Sequence, residues 1–279
     1  MVDTGTGLTV LAPSALMFKI LGPTAEYLGD GVQQWTARRV ENIHNVFEKA
    51  GEKLGDERLD NPGSVPPKVL KGVLEEASFC EDELAAEYLG GVLASSRSDQ
   101  PRDDRAISLL ALVSRMSTYQ LRTHYVMYAG AQQVLVDDPS INLGIQSLRR
   151  ERATFYLPGS VWTEAMEFSD EERQPERFQP IVDHVIYGLE RDGLIDENRL
   201  TTGSRAYLEE QYSLEFPEEG FIFCLSMLGI ELFAVANGVQ GRPAVSFLER
   251  SEEFKAQDTL PLKGSLIPLS KLAEKTRET

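Results

Sequence analysis

Basic residues are scarce in this chain of 279 residues. Lysine and arginine number 28 against 44 aspartates and glutamates, so the formal net charge is −16. Such a surface repels phosphate backbones and anionic lipid headgroups at long range. The one dense basic run, Arg149, Arg150 and Arg152, is interrupted by Glu151 and lacks the interleaved aromatic residues of a nucleic-acid patch. Nucleic acid is therefore not favoured as the main partner.

Cysteine and histidine are also rare. Cys80 and Cys224 lie in apolar stretches without CxxC or Cys/His spacing, which predicts two reduced, buried thiols in a cytoplasmic protein rather than a disulfide. The three histidines, His44, His124 and His184, fall in predicted helices, and none has the spacing of a zinc motif such as HExxH. We therefore predict no metal site and no bound cofactor.

Motifs of catalysis are missing as well. The sequence contains no GxxxxGK[ST], GxGxxG or GxSxG. The adjacent glycines Gly90 and Gly91 do not form a phosphate site, because they lie inside a predicted helix and not at its N-terminus. Carboxylate pairs such as Asp137–Asp138 are interpreted as solvated surface charges. We therefore predict no catalytic residues and a protein that is not an enzyme.

Long uninterrupted hydrophobic runs are absent too. A membrane-spanning helix needs about 20 apolar residues. The segment Leu8–Gly22 is shorter and is broken by Pro13 and Lys19, whereas 221–239 contains Glu231 and is interpreted as a buried strand and helix. With no secretory signal evident, we expect a soluble, cytoplasmic chain. Membrane contact through the apolar N-terminal segment stays open but is not favoured.

What the sequence does contain is helical periodicity, which predicts a mainly α fold. The predicted helices cover about 32–54, 69–77, 80–96, 106–116, 117–128, 178–191 and 229–236, with a turn-rich linker at 55–67. Ser64 is the predicted N-cap of the second helix, and Ser78-x-x-Glu81 and Ser117-x-x-Gln120 are predicted capping boxes. Gly193 is predicted to cap the C-terminus of the helix that ends near Arg191.

The order of these elements predicts two parts and a tail. Residues 1–100 are predicted to be a helical N-terminal region with paired helices. Residues 101–240 are predicted to be a winged-helix-like α+β region with a variable insertion and a small β-hairpin. The basis is the order of a helix, a GLI-type turn at 193–195, a strand, a polar loop, a strand at 221–225 and another helix. Residues 241–279 are polar with scattered leucine and proline, and we predict an extended tail.

Two adjacent glycines interrupt a well-formed amphipathic stretch, CEDELAAEYLGGVLASS. Each interior glycine costs about 1 kcal/mol relative to alanine. We interpret Gly90 and Gly91 as allowing close approach of another helix, and the alternative is a weak helix that tertiary packing rescues. The predicted partner is the preceding helix, Val69–Ala77, with Gly72 as the matching small surface.

Two groups of residues carry a family resemblance. In the first, the matching positions are Leu84, Leu89, Gly90, Gly91, Val92, Leu93, Ala94 and Ser95. In the second, they are Leu189, Arg191, Gly193, Leu194, Ile195, Ser226, Gly229 and Phe233. In order and spacing they resemble the "F-A-N-L-L-A-S", "L-x-R-L-G-L-I" and "L-T-x-x-G-x-x-F" motifs of the Abi-alpha family, bacterial proteins named for abortive infection and associated with phage defence. Gly91 stands where that family favours Asn, and Ser226 where it favours Thr.

The resemblance implies bacterial origin and a role in phage defence, and it brings no catalytic residue with it. We expect a non-enzymatic protein that acts by binding a partner protein such as a phage product, and self-association is left open. The alternatives are a DNA-binding regulator that uses the winged-helix-like region and a membrane-active effector that releases residues 8–21. The helix Phe178–Arg191 carries Asp183 and Glu190, so the candidate recognition surface is not basic, which favours protein–protein contact.

Overall fold

The computed structural model describes residues 37–99, 103–136, 138, 141–196, 201–239, 241, 243–248 and 266–278. Over these ranges the chain is mainly helical with a small antiparallel sheet, as predicted. It divides into two compact units, unit 1 (1–115 and 235–240) and unit 2 (116–234 and 241–279). The predicted boundary at 100/101 lies inside unit 1. The apolar segment Leu8–Gly22 lies outside the described residues.

Between residues 37 and 115, where the structure describes the first stretch of unit 1, the chain forms four helices with amphipathic or apolar sequences. They are α1 (Ala37–Asp60), α2 (Pro67–Ala77), α3 (Glu83–Ser96) and α4 (Ala106–Val113). α1 continues past a kink at Gly55, which has a φ of 63°, so the predicted linker begins only after Asp60. The predicted apolar stripe of α2 is buried and consists of Val69, Leu70, Val73, Leu74 and Ala77.

The predicted helix starts are partly wrong. Ser64 does not cap α2, which begins without a side-chain cap. Ser78 follows the end of α2, and Asp82 caps α3 because its carboxylate accepts a hydrogen bond from Ala85 N at 2.9 Å. The capping box of Ser117–Gln120 is present as predicted. A short polar side chain thus caps a helix only where the backbone brings the free N–H groups to it.

Unit 2 combines helices with the sheet. Its elements are α5 (Thr118–Leu135), α6 (Gln146–Arg152), β1 (Thr154–Pro158), α7 (Gly159–Ala165), α8 (Pro175–Arg191), β2 (Thr201–Gly203), α9 (Arg205–Tyr212), β3 (Gly220–Cys224), α10 (Met227–Ala236), α11 (Pro243–Ser246), β4 (Ile267–Pro268) and α12 (Leu269–Glu278). The last residues of α10, from Val235, belong to unit 1.

The four strands of the described residues have the order β2-β3-β1-β4, and every pairing in this order is antiparallel. β1 and β3 form the centre, from Thr154 opposite Cys224 to Pro158 opposite Gly220. The predicted strand at 221–225 corresponds to β3, whereas β1 was not predicted. The chain after the predicted GLI turn does pair antiparallel with the strand at 221–225, through a bridge between Ile195 and Leu225 and through β2. Because α9 lies between β2 and β3 in sequence, no short hairpin loop joins them. The winged-helix-like character of this unit stays a prediction.

The prediction of an extended C-terminal tail is wrong for residues 266–278. Ile267 in β4 lies opposite Tyr156 in β1, and Leu272 in α12 is buried. Leu272 joins a core cluster with Tyr156, Leu208, Phe216 and Ile222. The strand and helix of this segment are hard to predict from sequence, because the strand has only two residues and the helix buries little of its surface.

Two further predictions concern membranes and thiols. No helix in the described ranges is long and apolar enough to cross a membrane, and 221–239 forms β3 and α10 as predicted. Both cysteines are free thiols; Cys224 is buried, whereas Cys80 is only half-buried. Burial and the nearby Asp82 carboxylate raise the pKa of Cys80 to about 11, so this thiol stays protonated at neutral pH.

Candidate functional site

The second group of motif residues meets at the turn that follows α8. Gly193 has a φ of 68°, a conformation that favours glycine. The N–H of Leu194 donates to the carbonyl of Leu189 at 2.9 Å, and the N–H of Gly193 donates to Glu190 O at 3.0 Å. These bonds close the C-terminus of α8 around a left-handed glycine, so the predicted cap at Gly193 is confirmed.

Ser226 joins this turn to the start of α10. Its hydroxyl donates to Gly193 O at 2.7 Å and accepts from Gly229 N at 2.9 Å. The second of these bonds satisfies a backbone N–H in the first turn of α10, where no intrahelical partner exists. Ser226 therefore ties together two segments that are distant in sequence.

Tyr128 of α5 forms hydrogen bonds to the same turn and to the start of α10. Its hydroxyl donates to Leu194 O at 2.5 Å and accepts from Ser226 N at 3.1 Å. Burial raises the pKa of Tyr128 well above its usual value of 10, so the phenol is neutral. A Cβ at Gly229 would lie 2.0 Å from the Tyr128 hydroxyl oxygen and 2.5 Å from Leu194 O. Only glycine fits at that position.

His124 lies one turn before Tyr128 on α5 and is fully buried. The two rings stack with centroids 4.4 Å apart, and His124 Nε2 lies 3.2 Å from Gly229 O. Burial lowers the pKa of His124 to about 3, although the Gly229 carbonyl opposes the shift. The ring is therefore neutral at physiological pH, and since a carbonyl can only accept, Nε2 carries the proton.

Together these groups form what we call the polar scaffold. Its members are His124, Tyr128, Gly193, Leu194, Ser226 and Gly229. In the described ranges no buried side-chain nitrogen or oxygen lacks a hydrogen-bond partner, and no group of three or more His, Cys, Asp or Glu residues could hold a metal ion. A tyrosine and a histidine that both stay neutral and bond backbone groups are poorly matched to proton transfer near pH 7. The arrangement fixes backbone geometry.

The first group of motif residues lies on α3 in unit 1. A Cβ at Gly91 would lie 2.0 Å from Ala236 O and 2.5 Å from Ala236 Cα. A Cβ at Gly90 would lie 2.7 Å from Lys49 Cβ and 3.0 Å from Ala50 N on α1. All four distances are shorter than van der Waals contact, so the prediction of close packing at the two glycines is confirmed.

The predicted partner of the glycines is wrong. Gly72 of α2 faces the side chain of Leu110 on α4, with Cδ2 2.5 Å from the Cβ that alanine would add. Successive helix residues point about 100° apart, so Gly90 and Gly91 serve two different neighbours. One is α1 and the other is the backbone near the end of α10.

The remaining motif residues are mostly core. Those less than 6% exposed are Leu84, Leu89, Val92, Leu93, Ala94, Leu189, Leu194, Ile195 and Phe233. Ser95 is half-buried, and its hydroxyl donates to Val92 O. These positions stabilise the two units through apolar burial. The motif residues that belong to the polar scaffold all come from the second group.

An ion cluster links α1 to α3 beside Gly90. Lys49 Nζ lies 2.8 Å from Glu83 and 2.9 Å from Glu87, and Lys53 also pairs with Glu87. Burial alone would lower the pKa of Lys49, but its hydrogen bonds to Glu83 and Glu87 outweigh burial and raise it. No local sequence pattern marks this cluster, because its partners lie on different helices.

One face of α8 is open to contact. Five of its exposed residues recur at helical spacing and form the α8 stripe, Glu176, Pro180, His184, Tyr187 and Arg191. Tyr187 is 66% exposed. Arg191 is hydrogen-bonded to the neighbouring Asp192 carboxylate at 3.1 and 3.2 Å, which raises the pKa of Arg191. The stripe therefore offers an aromatic side chain among charges of both signs.

Comparison with models of protein families, with curated proteins and with solved structures finds no match to this chain. The Abi-alpha resemblance therefore stays a prediction. The polar scaffold and the α8 stripe are interpreted from their geometry.

Proposed function

We propose that this chain is a non-enzymatic bacterial phage-defence protein of the abortive-infection type, which acts in the cytoplasm by binding a partner protein such as a phage product. The observation that carries the binding proposal is the α8 stripe. Exposed tyrosine and arginine are enriched among the residues that dominate protein–protein binding energy. Tyr187 lies about one helical turn from His184 and from Arg191, on the same face of a 17-residue helix. Such a face suits recognition by a complementary surface.

The polar scaffold supports a binding role for α8. Arg191, the last residue of the stripe, lies two positions before Gly193, and Gly193 O accepts the Ser226 hydroxyl. Leu194, the next residue, is bonded by Tyr128. A recognition surface on a helix with a fixed terminus loses less conformational entropy when it binds.

The charge of the stripe favours protein over DNA. Glu176 and Arg191 contribute one charge of each sign, and the Arg191 guanidinium already bonds Asp192. Contacts from free lysine and arginine to phosphates supply most non-specific DNA affinity, whereas this chain has a net charge of −16. A regulator would need a basic face. A membrane-active effector would depend on residues 8–21, which lie outside the described residues.

Phage plating tests the proposal. Cells that carry the gene should reduce the plating efficiency of at least one phage, and Tyr187→Ala should restore plating at least tenfold with an unchanged melting temperature. Tyr207→Ala is the matched control, since Tyr207 is also exposed, at 48%, but lies on α9. A pull-down with both variants should lose the partner only with Tyr187→Ala.

Two outcomes count against the proposal. If no phage plates less efficiently on cells with the wild-type gene, the defence role is wrong. If Tyr187→Ala protects as well as wild type and keeps its partner, the α8 stripe is not the binding surface.

A further inference from the structure

The charges along α8 are arranged so that this helix complements a second copy of itself. Glu176 lies at the N-terminal end of the exposed face and Arg191 at the C-terminal end, about 22 Å away along the helix axis. An antiparallel pair of α8 helices, centred between positions 183 and 184, places Glu176 of each copy opposite Arg191 of the other. Because every contact in a two-fold interface occurs twice, an acidic and a basic side chain meet at both ends.

The charges between these ends match in the same register. Arg177, which is exposed, comes opposite Glu190, which is partly exposed. Asp183 comes opposite His184 next to the two-fold axis, where a carboxylate meets a hydrogen-bonding imidazole. Opposite charges or hydrogen-bonding partners therefore face each other at three pairs of positions, each of which occurs twice.

The middle of the face carries the aromatic side chain. In the antiparallel register Tyr187 of one copy comes opposite Pro180 of the other, and Tyr187 is 66% exposed in the single chain. Tyrosine is enriched in the buried centres of protein interfaces. A parallel pair would instead place Glu176 against Glu176 and Arg191 against Arg191. The charges therefore favour the antiparallel direction.

The two arginines already have partners in their own chain. Arg177 pairs with Glu171 at 3.1 Å, and Arg191 pairs with Asp192 at 3.1 Å. A guanidinium has five N–H donors in a planar fork, so each arginine can bond a carboxylate of a second copy without leaving the first. The contacts within one chain orient these side chains and are compatible with the pairing.

We propose that a second copy of this chain binds the α8 stripe, with the two α8 helices antiparallel in this register. A single helix pair is small beside the standard interface of about 1,600 Å², so we expect a reversible dimer whose share grows with protein concentration. The dimer rests on the exposed face of α8 and not on the defence role. Where the defence role holds, a phage product has to displace the second copy before it binds the same stripe.

Charge exchange tests the pairing by analytical ultracentrifugation of full-length chains. Glu176→Arg and Arg191→Glu should each raise the dimer dissociation constant at least about tenfold, because like charges then meet at both ends. An equimolar mixture of the two variants should regain the dimer, because opposite charges face each other again. Glu210→Arg is the matched control, since Glu210 is exposed on α9, and should dimerise like wild type.

Three results overturn the proposal: a wild type of single mass at every concentration, a dimer that neither variant weakens, or a mixture that stays monomeric. Where a variant loses its helical signal in circular dichroism, Arg177→Glu mixed with Glu190→Arg replaces the first pair of variants and the same outcomes apply. Phage plating enters neither measurement, so the dimer and the defence role fail separately.

Cross-linking tests the direction of the pair. The chains carry Cys80→Ser, so that the half-buried native thiol does not react. A mixture of Glu176→Cys and Arg191→Cys should be joined by a short bismaleimide into a species of twice the chain mass, whereas Glu176→Cys alone should not. Cross-linking of Glu176→Cys alone, without a product in the mixture beyond it, indicates a parallel pair and overturns the antiparallel register.

Discussion

Gly91→Ala tests the close packing on α3 with the smallest possible change. In an unhindered helix this substitution stabilises by up to about 1 kcal/mol, because alanine has the better helix propensity. Here the new methyl carbon would lie 2.0 Å from Ala236 O and 2.3 Å from its carbonyl carbon, whereas carbon contacts are optimal at about 3.5–4.0 Å. Backbone cannot rotate away as a side-chain end can, so one of the two segments has to move by more than 1 Å.

We expect the overpacking to exceed the propensity gain, with a net loss of about 1–3 kcal/mol. For a chain of this size the melting temperature should fall by roughly 2–4 °C for each kcal/mol. Gly72→Ala is the matched control, since its methyl would meet the terminal Cδ2 of Leu110, which can change rotamer. Thermal melts followed by circular dichroism compare the two variants. A Gly91→Ala protein that melts at or above wild type refutes the close-packing argument.

Three further predictions concern the polar scaffold and the charge. Tyr128→Phe removes the hydroxyl that bonds the buried Leu194 carbonyl and Ser226 N–H, so urea unfolding should show an unfolding free energy lower by about 1–3 kcal/mol. The surface variant Tyr187→Phe should keep the wild-type value, and equal stabilities of the two variants would contradict the role of Tyr128. Because burial lowers the pKa of His124 from 6.5 to about 3, the folded state favours the neutral ring, so its contribution to stability is complete above pH 6.5 and is lost as the pH falls towards 3. Up to about 1.4 kcal/mol of unfolding free energy should be lost per pH unit. The unfolding free energy of His124→Gln should fall less steeply between pH 6.5 and 5, and identical slopes for the two proteins would refute this prediction. Finally, random duplex DNA should not bind in fluorescence anisotropy at about 150 mM salt, and a sub-micromolar dissociation constant would overturn this expectation.

Features that depend on a few consecutive residues could be predicted from the sequence. The capping box of Ser117–Gln120 and the cap at Gly193 each involve atoms within one or two helical turns. The buried stripe of α2 follows from helical periodicity alone. The pair Ser78-x-x-Glu81 shows the limit even here, because Asp82, four residues after Ser78, caps the helix instead.

Features that depend on distant residues could not be predicted. Tyr128 bonds a carbonyl 66 residues away and a backbone N–H 98 residues away, and no local pattern marks such partners. The strand β1 has five residues, and its pairing with β3 brings Thr154 to Cys224. Close packing at Gly91 could be read from its small size, but its neighbour, the backbone of Ala236, lies far along the chain.

Unit 1 is assembled from two stretches, 1–115 and 235–240, and this sets the order of events during synthesis. Gly91 needs the backbone of Ala236 as its neighbour, and Arg58 Nη1 donates to Gly238 O at 2.9 Å. At about 5–20 residues per second, a ribosome takes roughly 6–24 s to add the residues between 115 and 235. During that interval the first helices have been synthesised, but the surface around Gly91 and Arg58 is not yet covered by residues 235–240. A nascent chain stalled at residue 234 should therefore bind a holdase chaperone, whereas the 279-residue chain should not bind it after release from the ribosome.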